Sequence, residues 1–213
     1  MQLKYSMRYI DLLQSKLYYL LNPNKKELLN CVISPKAKLY EPYSYADTIV
    51  GDGTYISANG RISMATIEKY CSIGPDLCAG WGVHPLEGVS TSPMFYSTGK
   101  QNGRTLVTTN MFEERKRIMI GNDVFIGRNV IILDGITIGN GAVIGAGAVV
   151  SKDIPPYAVA VGSPIKVVKY RFTPDIIKQL LAVEWWDKDE KVLEKVATYC
   201  FDIPSFLEEM KKL

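Results

Sequence analysis

A six-residue repeat dominates the second half of the chain and limits the folds that it can adopt. From residue 120 the sequence reads IGNDVF, IGRNVI, ILDGIT, IGNGAV, IGAGAV and VSKDIP without an insertion. On a helix, at ~100° per residue, a step of six would turn the leading aliphatic residues toward different faces, whereas on a strand an even step keeps them on one face. The repeat therefore predicts short strands separated by corners, which is a parallel β-helix with an aliphatic interior.

The repeat also separates interior positions from corner positions. The first residue of each unit is aliphatic, the fifth is again apolar, and the fourth is always Asp, Asn or Gly. These last residue types tolerate the left-handed backbone of a tight corner. The predicted interior residues that open the units are Ile120, Ile126, Ile132, Ile138, Ile144 and Val150, and the predicted corners are Asp123, Asn129, Gly135, Gly141, Gly147 and Asp153.

The same spacing occurs less regularly from Ile33 to Ala79, where two of the steps are only five residues long and predict local bulges. We therefore assign residues 32–83 and 118–170 to two β-helix tracts of one solenoid. Residues 84–117 form a long loop between them, which we expect to carry the active site. An insertion of this length in a regular solenoid is more often functional than accidental.

Helical segments are predicted on both sides of the solenoid. Residues 1–31 form an N-terminal helical segment, because their apolar side chains recur at helical spacing. Residues 171–213 form C-terminal helices, the first beginning at Pro174, since proline is favoured at the first helical position. Asp187 and Ser205 are predicted to cap two further helices. We expect these helices to close the open end of the solenoid.

Composition argues against several classes of function. The net charge of +3 is small and dispersed, which argues against a nucleic-acid-binding face. The apolar stretch at residues 9–21 is too short to cross a bilayer of ~30 Å and lacks a secretory cleavage site, so we expect a cytoplasmic protein without a membrane span. The 4 cysteines form no C-x-x-C pair and there is 1 histidine, so no metal site is expected.

Five segments carry a family resemblance. In order along the chain they are YSYAD (43–47), VHPLEGVSTSPMFYS (83–97), IGNDVFIG (120–127), KDIPPYAVAVGSPIK (152–166) and KYRFTPDIIKQLL (169–181) followed by Trp185 and Trp186. Together they resemble the xenobiotic acetyltransferase branch of the hexapeptide-repeat acyltransferases, which includes type B chloramphenicol acetyltransferases. The resemblance implies a mainly β fold, namely a left-handed parallel β-helix. It also implies a homotrimer that binds acetyl-CoA in a groove between neighbouring chains.

The start of the long loop bears on the acceptor. The chain reads GVHPLE at residues 82–87, where drug-acetylating members typically carry Asn-His-Arg/Lys-Met-Asp, and Ser-Thr-Ser-Pro follows. This pattern resembles sugar and polysaccharide O-acetyltransferases, so we expect acetyl-CoA-dependent O-acetylation of a sugar or glycan precursor. Antibiotic O-acetylation, amino-sugar N-acetylation and a non-catalytic binding scaffold stay open as alternatives. A zinc carbonic anhydrase is disfavoured, because it would need several metal-binding histidines.

His84 is the only histidine and opens the predicted loop. Acetyl transfer from a thioester to an alcohol needs a base, donors for the developing oxyanion and rigid alignment. The ordinary pKa of a histidine side chain is ~6.5, so a neutral imidazole can accept the hydroxyl proton and return it to the departing thiolate. We therefore predict that His84 is the catalytic base. Glu87 is a candidate to orient it or to contact the acceptor.

The resemblance also selects residues for acetyl-CoA and for the acceptor. Three small residues would let the pantetheine arm lie against the solenoid, although glycines also serve simply as corners: Gly127, Gly145 and Ala146. Three basic residues match the end that binds the anionic part of CoA, although each alone could be a solvated charge: Lys152, Lys166 and Arg171. The predicted acceptor contacts are aromatic platforms and one carboxylate: Tyr43, Tyr45, Trp81, Phe95, Tyr96 and Asp47.

Overall fold

The polypeptide winds into a β-helix built from three parallel sheets. The computed structural model describes residues 26–212, and the helix predicted at the start of the chain lies outside the described residues. Successive strands enter sheets I, II and III in turn, and each strand pairs with the equivalent strand of the previous coil. The described residues thus form six coils, counted along the 6 strands of sheet I.

Most strands are only two residues long, as a six-residue repeat with corners requires. Sheet I contains β1 (Lys26–Leu29), β4 (Tyr43–Ala46), β7 (Gly60–Ser63), β10 (Cys78–Ala79), β13 (Ile131–Ile132) and β16 (Val149–Val150). Sheet II contains β2 (Val32–Ile33), β5 (Ile49–Val50), β8 (Ala65–Ile67), β11 (Ile118–Ile120) and β14 (Thr137–Ile138). Sheet III contains β3 (Lys38–Leu39), β6 (Tyr55–Ile56), β9 (Ser72–Ile73), β12 (Phe125–Ile126), β15 (Val143–Ile144), β17 (Ala158–Val161) and β18 (Lys166–Tyr170).

Aliphatic side chains fill the interior of the β-helix, as the repeat predicts. The residues that open the units from residue 120 onward are all buried, and so are the apolar residues at the fifth position. Strand register aligns them in columns, for example Ile73, Ile126 and Ile144 in sheet III. Burial of one such side chain contributes about 1.5–3 kcal/mol, so these columns supply the main stabilisation of the solenoid.

The five-residue steps of the first tract are tight corners, and the predicted bulges are wrong. Each of the two steps connects sheet I to sheet II through a residue with a left-handed backbone, Asp47 with a φ of 48° and Met64 with a φ of 50°. Asn30, with a φ of 52°, makes the same corner in the coil before them. Strand pairing continues on both sides of this corner without a register shift. The long loop leaves the solenoid at the same corner, between β10 and β11.

The two ends of the solenoid differ from the predicted boundaries. Strand β1 pairs with β4 along its whole length, so the first coil begins at Lys26, inside the predicted helical segment 1–31. At the other end β18 runs antiparallel to β17 and is not a further coil, although the repeat predicts a tract that extends to residue 170. This antiparallel strand covers the edge of sheet III that the last coil would otherwise leave unpaired.

Three C-terminal helices follow the solenoid: α1 (Pro174–Val183), α2 (Glu190–Thr198) and α3 (Ile203–Met210), with short 3-10 turns at Pro93–Phe95 and Trp185–Asp187. The start of α1 at Pro174 is confirmed. The caps of the next two helices differ from prediction. The carboxylate of Asp189, and not that of Asp187, accepts the N-terminal hydrogen bond of α2, and Asp202, not Ser205, caps α3.

The helices pack along the corner between sheets II and III, and do not simply close the open end. Tyr157, in the last coil, packs with Leu180 and Phe206. The ring of Trp185 lies 5.3 Å from that of Tyr70, which belongs to a coil before the loop. The helices therefore brace several coils from the side. Within residues 26–212, no helix has the length and apolar character needed to span a membrane.

Tyr45 occupies an interior position of sheet I, where it is 1% exposed. This burial contradicts its predicted role as an acceptor platform. Its hydroxyl has no hydrogen-bond partner within residues 26–212. Burial without a partner raises the pKa of this hydroxyl and costs about 1–3 kcal/mol of stability.

Replacing Tyr45 by phenylalanine is expected to raise the free energy of unfolding by about 1 kcal/mol, because the ring stays and the unpaired hydroxyl is removed. Denaturant unfolding followed by circular dichroism measures this change, and acetyl-transfer activity should stay unchanged. The matched control is Tyr55→Phe, since Tyr55 is a tyrosine of the same solenoid that is 41% exposed. A loss of stability in Tyr45→Phe alone would contradict this account of the interior.

Candidate active site

The long loop begins and ends beside the corner between sheets I and II. The chain leaves sheet I after β10 and enters sheet II at β11, so the loop comprises residues 80–117 and starts four residues earlier than predicted. Gly80 makes the first turn with a φ of 74°. The Val83 N–H donates to the Glu114 carbonyl at 2.9 Å and so pairs the two ends of the loop. His84 follows directly, next to this backbone hydrogen bond.

The imidazole of His84 is exposed and is held through Nδ1. This nitrogen lies 3.0 Å from the Thr91 carbonyl oxygen and 2.7 Å from the Tyr96 hydroxyl oxygen. A carbonyl oxygen only accepts hydrogen bonds, so we assign the ring proton to Nδ1. The Tyr96 hydroxyl donates to the same carbonyl at 3.3 Å, which leaves its oxygen able to accept from Nδ1. Nε2 therefore keeps its lone pair, which is the state that a general base requires.

Tyr96 is buried inside the loop and only 6% exposed. Its ring packs edge-on against Phe112, with the ring centroids 5.8 Å apart. Burial raises the pKa of the Tyr96 hydroxyl, and the charge of Glu114 raises it further, so the hydroxyl stays protonated at neutral pH. Tyr96 offers no open face to an acceptor ring, so the predicted platform role is wrong. It contacts the imidazole of His84 instead.

Three other predicted residues of the loop region lie on the surface. Trp81 is 65% exposed and stands three residues before His84, and Phe95 is also exposed. Glu87 is exposed as well, and the hydrogen bonds found at His84 within residues 26–212 go to Thr91 and Tyr96 and not to Glu87. The prediction that Glu87 orients the imidazole is therefore wrong, and Glu87 stays a candidate for acceptor contact only.

The remaining predicted acceptor residues lie two coils before the loop. Tyr43 begins β4 and stacks on Tyr45 with a centroid distance of 5.1 Å. Asp47 forms the corner between sheets I and II, and its carboxylate accepts from the Asn30 side chain at 3.2 Å. Its backbone carbonyl accepts from Arg117 at 3.1 Å, near the end of the loop. Asp47 thus lies on the same corner as the loop, whereas Tyr43 lies at the opposite end of its strand.

Comparisons with known proteins agree with this architecture. A family model described as bacterial transferase hexapeptide (six repeats) matches residues 117–152. A chloramphenicol acetyltransferase of Agrobacterium fabrum is 35% identical over 154 residues, covering 71% of this chain and 73% of the relative. Another, of Morganella morganii, is 34% identical over 179 residues, covering 79% and 84%. The chain belongs to the hexapeptide-repeat acyltransferases.

A solved structure supports the same assignment. A hexapeptide-repeat acetyltransferase of Vibrio cholerae, in complex with acetyl coenzyme A, superimposes with a TM-score of 0.54 and 25% identity. The match covers 75% of this chain and 79% of that one. The fold is therefore the left-handed parallel β-helix of this family, and the protein is an acetyltransferase that uses acetyl-CoA.

The small residues predicted to contact acetyl-CoA lie at the corner between sheets III and I. A Cβ atom on Gly127 would lie 2.6 Å from the backbone nitrogen of Ala146, and one on Gly145 would lie 2.7 Å from the Val161 side chain. The backbone clash makes Gly127 necessary for the stacking of adjacent coils, whereas an alanine at position 145 would require the Val161 side chain to move. Ala146 is exposed at this corner and is open to a ligand.

The basic residues predicted to contact acetyl-CoA are dispersed. Lys152 is exposed near the sheet I–II corner of the last coil, and Lys166 is exposed at the start of β18. Arg171 pairs with Asp123 at 3.0 Å and donates to the Gly141 carbonyl at 2.8 Å. Its guanidinium thus joins the solenoid to the chain that leads into the helices. Contact of Arg171 with the phosphates of CoA stays a prediction.

The acetyltransferase has an open cavity of about 550 Å³ along residues 110–115, in the second arm of the loop. The carbonyl of Glu114, one of the lining residues, accepts from the Val83 N–H, which links the cavity wall to the residue before His84. Two charged residues beside it were not predicted from sequence, Arg115 and Asp134. Asp134 does not stand out in the repeat, because the third position of most units is polar, and Arg115 lies in the loop, outside the repeat.

Proposed function

We propose that this acetyltransferase transfers the acetyl group of acetyl-CoA to a hydroxyl of a sugar or glycan precursor, with His84 as the general base. The observation that carries the proposal is the contact of an exposed His84 ring, whose Nδ1 lies 3.0 Å from the Thr91 carbonyl oxygen. From this contact we assign the ring proton to Nδ1 and the lone pair to Nε2. The loop sequence around His84 supports a sugar as acceptor.

The proposed reaction needs one proton to move twice. Nε2 of His84 accepts the proton of the acceptor hydroxyl while the hydroxyl oxygen attacks the thioester carbonyl. The carbon–sulfur bond then breaks, and the imidazolium returns the proton to the thiolate of CoA. The products are an acetyl ester and free CoA. The Thr91 carbonyl keeps the Nδ1 proton in place throughout and stabilises the transient positive charge on the ring.

We also propose a homotrimer in which the acetyl-CoA groove lies between neighbouring chains. Gly127, Gly145 and Ala146 lie at the sheet III–I corner, whereas His84 stands at the I–II corner of the same chain. A donor bound along the first corner would therefore meet the His84 of a neighbouring chain. Lys152 and Lys166, both exposed in the last part of the solenoid, are the proposed contacts of the anionic end of the donor.

An antibiotic is the second candidate acceptor. Its support is that curated relatives at 34–37% identity are chloramphenicol acetyltransferases. The exposed Trp81 and Phe95 side chains would suit the apolar face of such a molecule as well as a sugar ring.

A screen for thiol release from acetyl-CoA tests the proposal and separates the acceptors. The panel contains nucleotide sugars, free sugars, chloramphenicol and a streptogramin A antibiotic, each with a no-acceptor control. We expect release with a sugar and a product whose acetyl group is removed by hydroxylamine, as an ester is and an amide is not. Release only with an antibiotic would favour the second candidate, and a hydroxylamine-resistant product would show N-acetylation.

A further inference from the structure

The structure assigns a positioning role to two residues outside the proposed catalytic group: we infer that Asp134 and Arg115 clamp the two arms of the loop to the solenoid and so set the position and tautomer of His84. The inference rests on the proposed role of His84 as general base. Neither residue contacts His84 directly in the structure. They act through the backbone that leads to it.

Asp134 is an almost completely buried carboxylate, since its side chain is 1% exposed. One oxygen accepts from the Gly82 backbone N–H at 2.8 Å, two residues before His84. The other accepts from the Arg115 Nε at 3.2 Å and from the Lys116 backbone N–H at 3.3 Å. A single side chain thus holds the first and the second arm of the loop.

Arg115 extends the same connection back to the coils before the loop. Its Nη2 donates to the Ser63 hydroxyl at 2.7 Å and to the Gly80 carbonyl at 2.8 Å. Ser63 ends β7, and Gly80 is the first residue of the loop. The planar guanidinium therefore links the carboxylate to two fixed points, which a lysine could not do with the same geometry.

The position of Asp134 in the fold explains why it can serve as an anchor. It follows β13, whose Ile132 pairs with Ala79 of β10 directly before the loop. Asp134 is therefore part of a regular coil that the loop does not interrupt, one coil beyond the point where the loop leaves. Its carboxylate fixes Gly82 relative to this coil, and the Val83–Glu114 hydrogen bond adjoins the fixed segment.

The expected consequence concerns the imidazole. His84 is held by the Thr91 carbonyl and the Tyr96 hydroxyl, both of which belong to the loop. If the clamp is broken, the segment from Gly82 to His84 can shift relative to both the solenoid and Thr91. The contact that fixes the Nδ1 proton is then weakened, and the Nε2 atom shifts relative to any donor bound there. A displacement of about 1 Å lowers catalytic rates by about 100-fold. Binding of acetyl-CoA at the sheet III–I corner would be little affected.

Asp134→Asn is the first variant to test. Its amide group would turn an N–H toward either Gly82 or Arg115, both of which donate, so one arm of the loop loses its acceptor. We expect kcat to fall by about 10- to 100-fold, with the KM for acetyl-CoA changed by less than about threefold. Asp153→Asn is the matched control, because Asp153 accepts from the Thr137 N–H at 2.8 Å at the same corner, one coil further from the loop. It should leave kcat unchanged.

The ¹⁵N spectrum of the imidazole reports which ring nitrogen carries the proton. A residue that only stabilises the fold would not change this spectrum. The chain contains 1 histidine, so an untagged protein labelled at the ring nitrogens gives one pair of signals. At a pH where the ring is neutral, the parent should show one protonated nitrogen, Nδ1, and one unprotonated nitrogen. In Asp134→Asn the two signals should move toward each other as the tautomers mix. Asp153→Asn should give the parent spectrum.

Arg115→Lys is the second variant and covers the case in which Asp134→Asn does not fold. It keeps the charge beside Asp134 but loses the geometry in which Nη2 donates to the Ser63 hydroxyl and the Gly80 carbonyl, so an intermediate loss of kcat is expected. The inference is overturned if a folded clamp variant keeps the parent spectrum, whether or not its activity falls. It is also overturned if kcat falls only as far as the folded fraction does. The spectrum does not depend on turnover. It therefore tests the clamp even if activity assays show that His84 is not the base, so the two failures can be told apart.

Discussion

Replacement of His84 by alanine is expected to lower kcat by about 1,000-fold, with the KM for acetyl-CoA changed only a few-fold. The reason is that Nε2 is the proposed acceptor of the hydroxyl proton, while the small residues proposed to contact acetyl-CoA lie at another corner of the solenoid. Steady-state assays of thiol release with varied acetyl-CoA measure both constants. Calorimetric titration with CoA measures donor binding independently of turnover.

His84→Asn separates the base from the structural contact. An asparagine amide can place its N–H where Nδ1 stands and still donate to the Thr91 carbonyl, but it has no equivalent of Nε2. This variant should be as inactive as His84→Ala while keeping the thermal stability of the parent. If either variant keeps activity within a few-fold of the parent, His84 is not the base.

Gly80→Ala is expected to lower the free energy of unfolding by about 3 kcal/mol and to reduce activity strongly. Gly80 has a φ of 74°, a left-handed conformation that costs a residue with a side chain about 1 kcal/mol. In addition, its Cβ would lie 1.9 Å from the Ser63 carbonyl oxygen, so the backbone must move, at a cost of about 1–3 kcal/mol. Because Gly80 begins the loop, the movement would displace the residues that lead to His84.

Gly147→Ala is the control that isolates the backbone strain. Gly147 has a φ of 70°, and a Cβ there would have nothing within 4 Å. It should therefore cost only about 1 kcal/mol and leave kcat unchanged. Denaturant unfolding and thiol-release assays on both variants measure the difference. Equal losses of stability in the two variants would contradict the close packing described at the start of the loop.

The solenoid could be predicted in detail because its energetics are local and periodic. Each inward position of the repeat is aliphatic, and Ile126 and Ile144 are buried one above the other as the spacing requires. The corner positions follow for the same reason, and Asp123 and Gly141 have left-handed backbones. Asp153 is an exception, since its side chain caps the Thr137 N–H and no left-handed turn is found there.

The site could be predicted only where one residue type was decisive. His84 stands out as the sole histidine at the start of a long insertion. The burial of Tyr96 depends on how the loop folds over Phe112, and no short-range pattern encodes that contact. The same holds for Arg115 and Asp134, which come together across 19 residues because the loop ends beside the next coil. The five-residue steps were ambiguous for a different reason. A bulge and a tight corner both interrupt the six-residue spacing, so the sequence alone does not distinguish them.

The most direct test of the general-base claim compares two pH titrations of the same untagged enzyme. One is the pH dependence of kcat/KM for the acceptor, and the other is the ¹⁵N titration of the single imidazole. Only the neutral ring can accept a proton, so activity should be lost as the pH falls through the range in which the ring takes up its proton, and the two curves should superimpose. Full activity at a pH where the spectrum shows a doubly protonated imidazole would contradict the account.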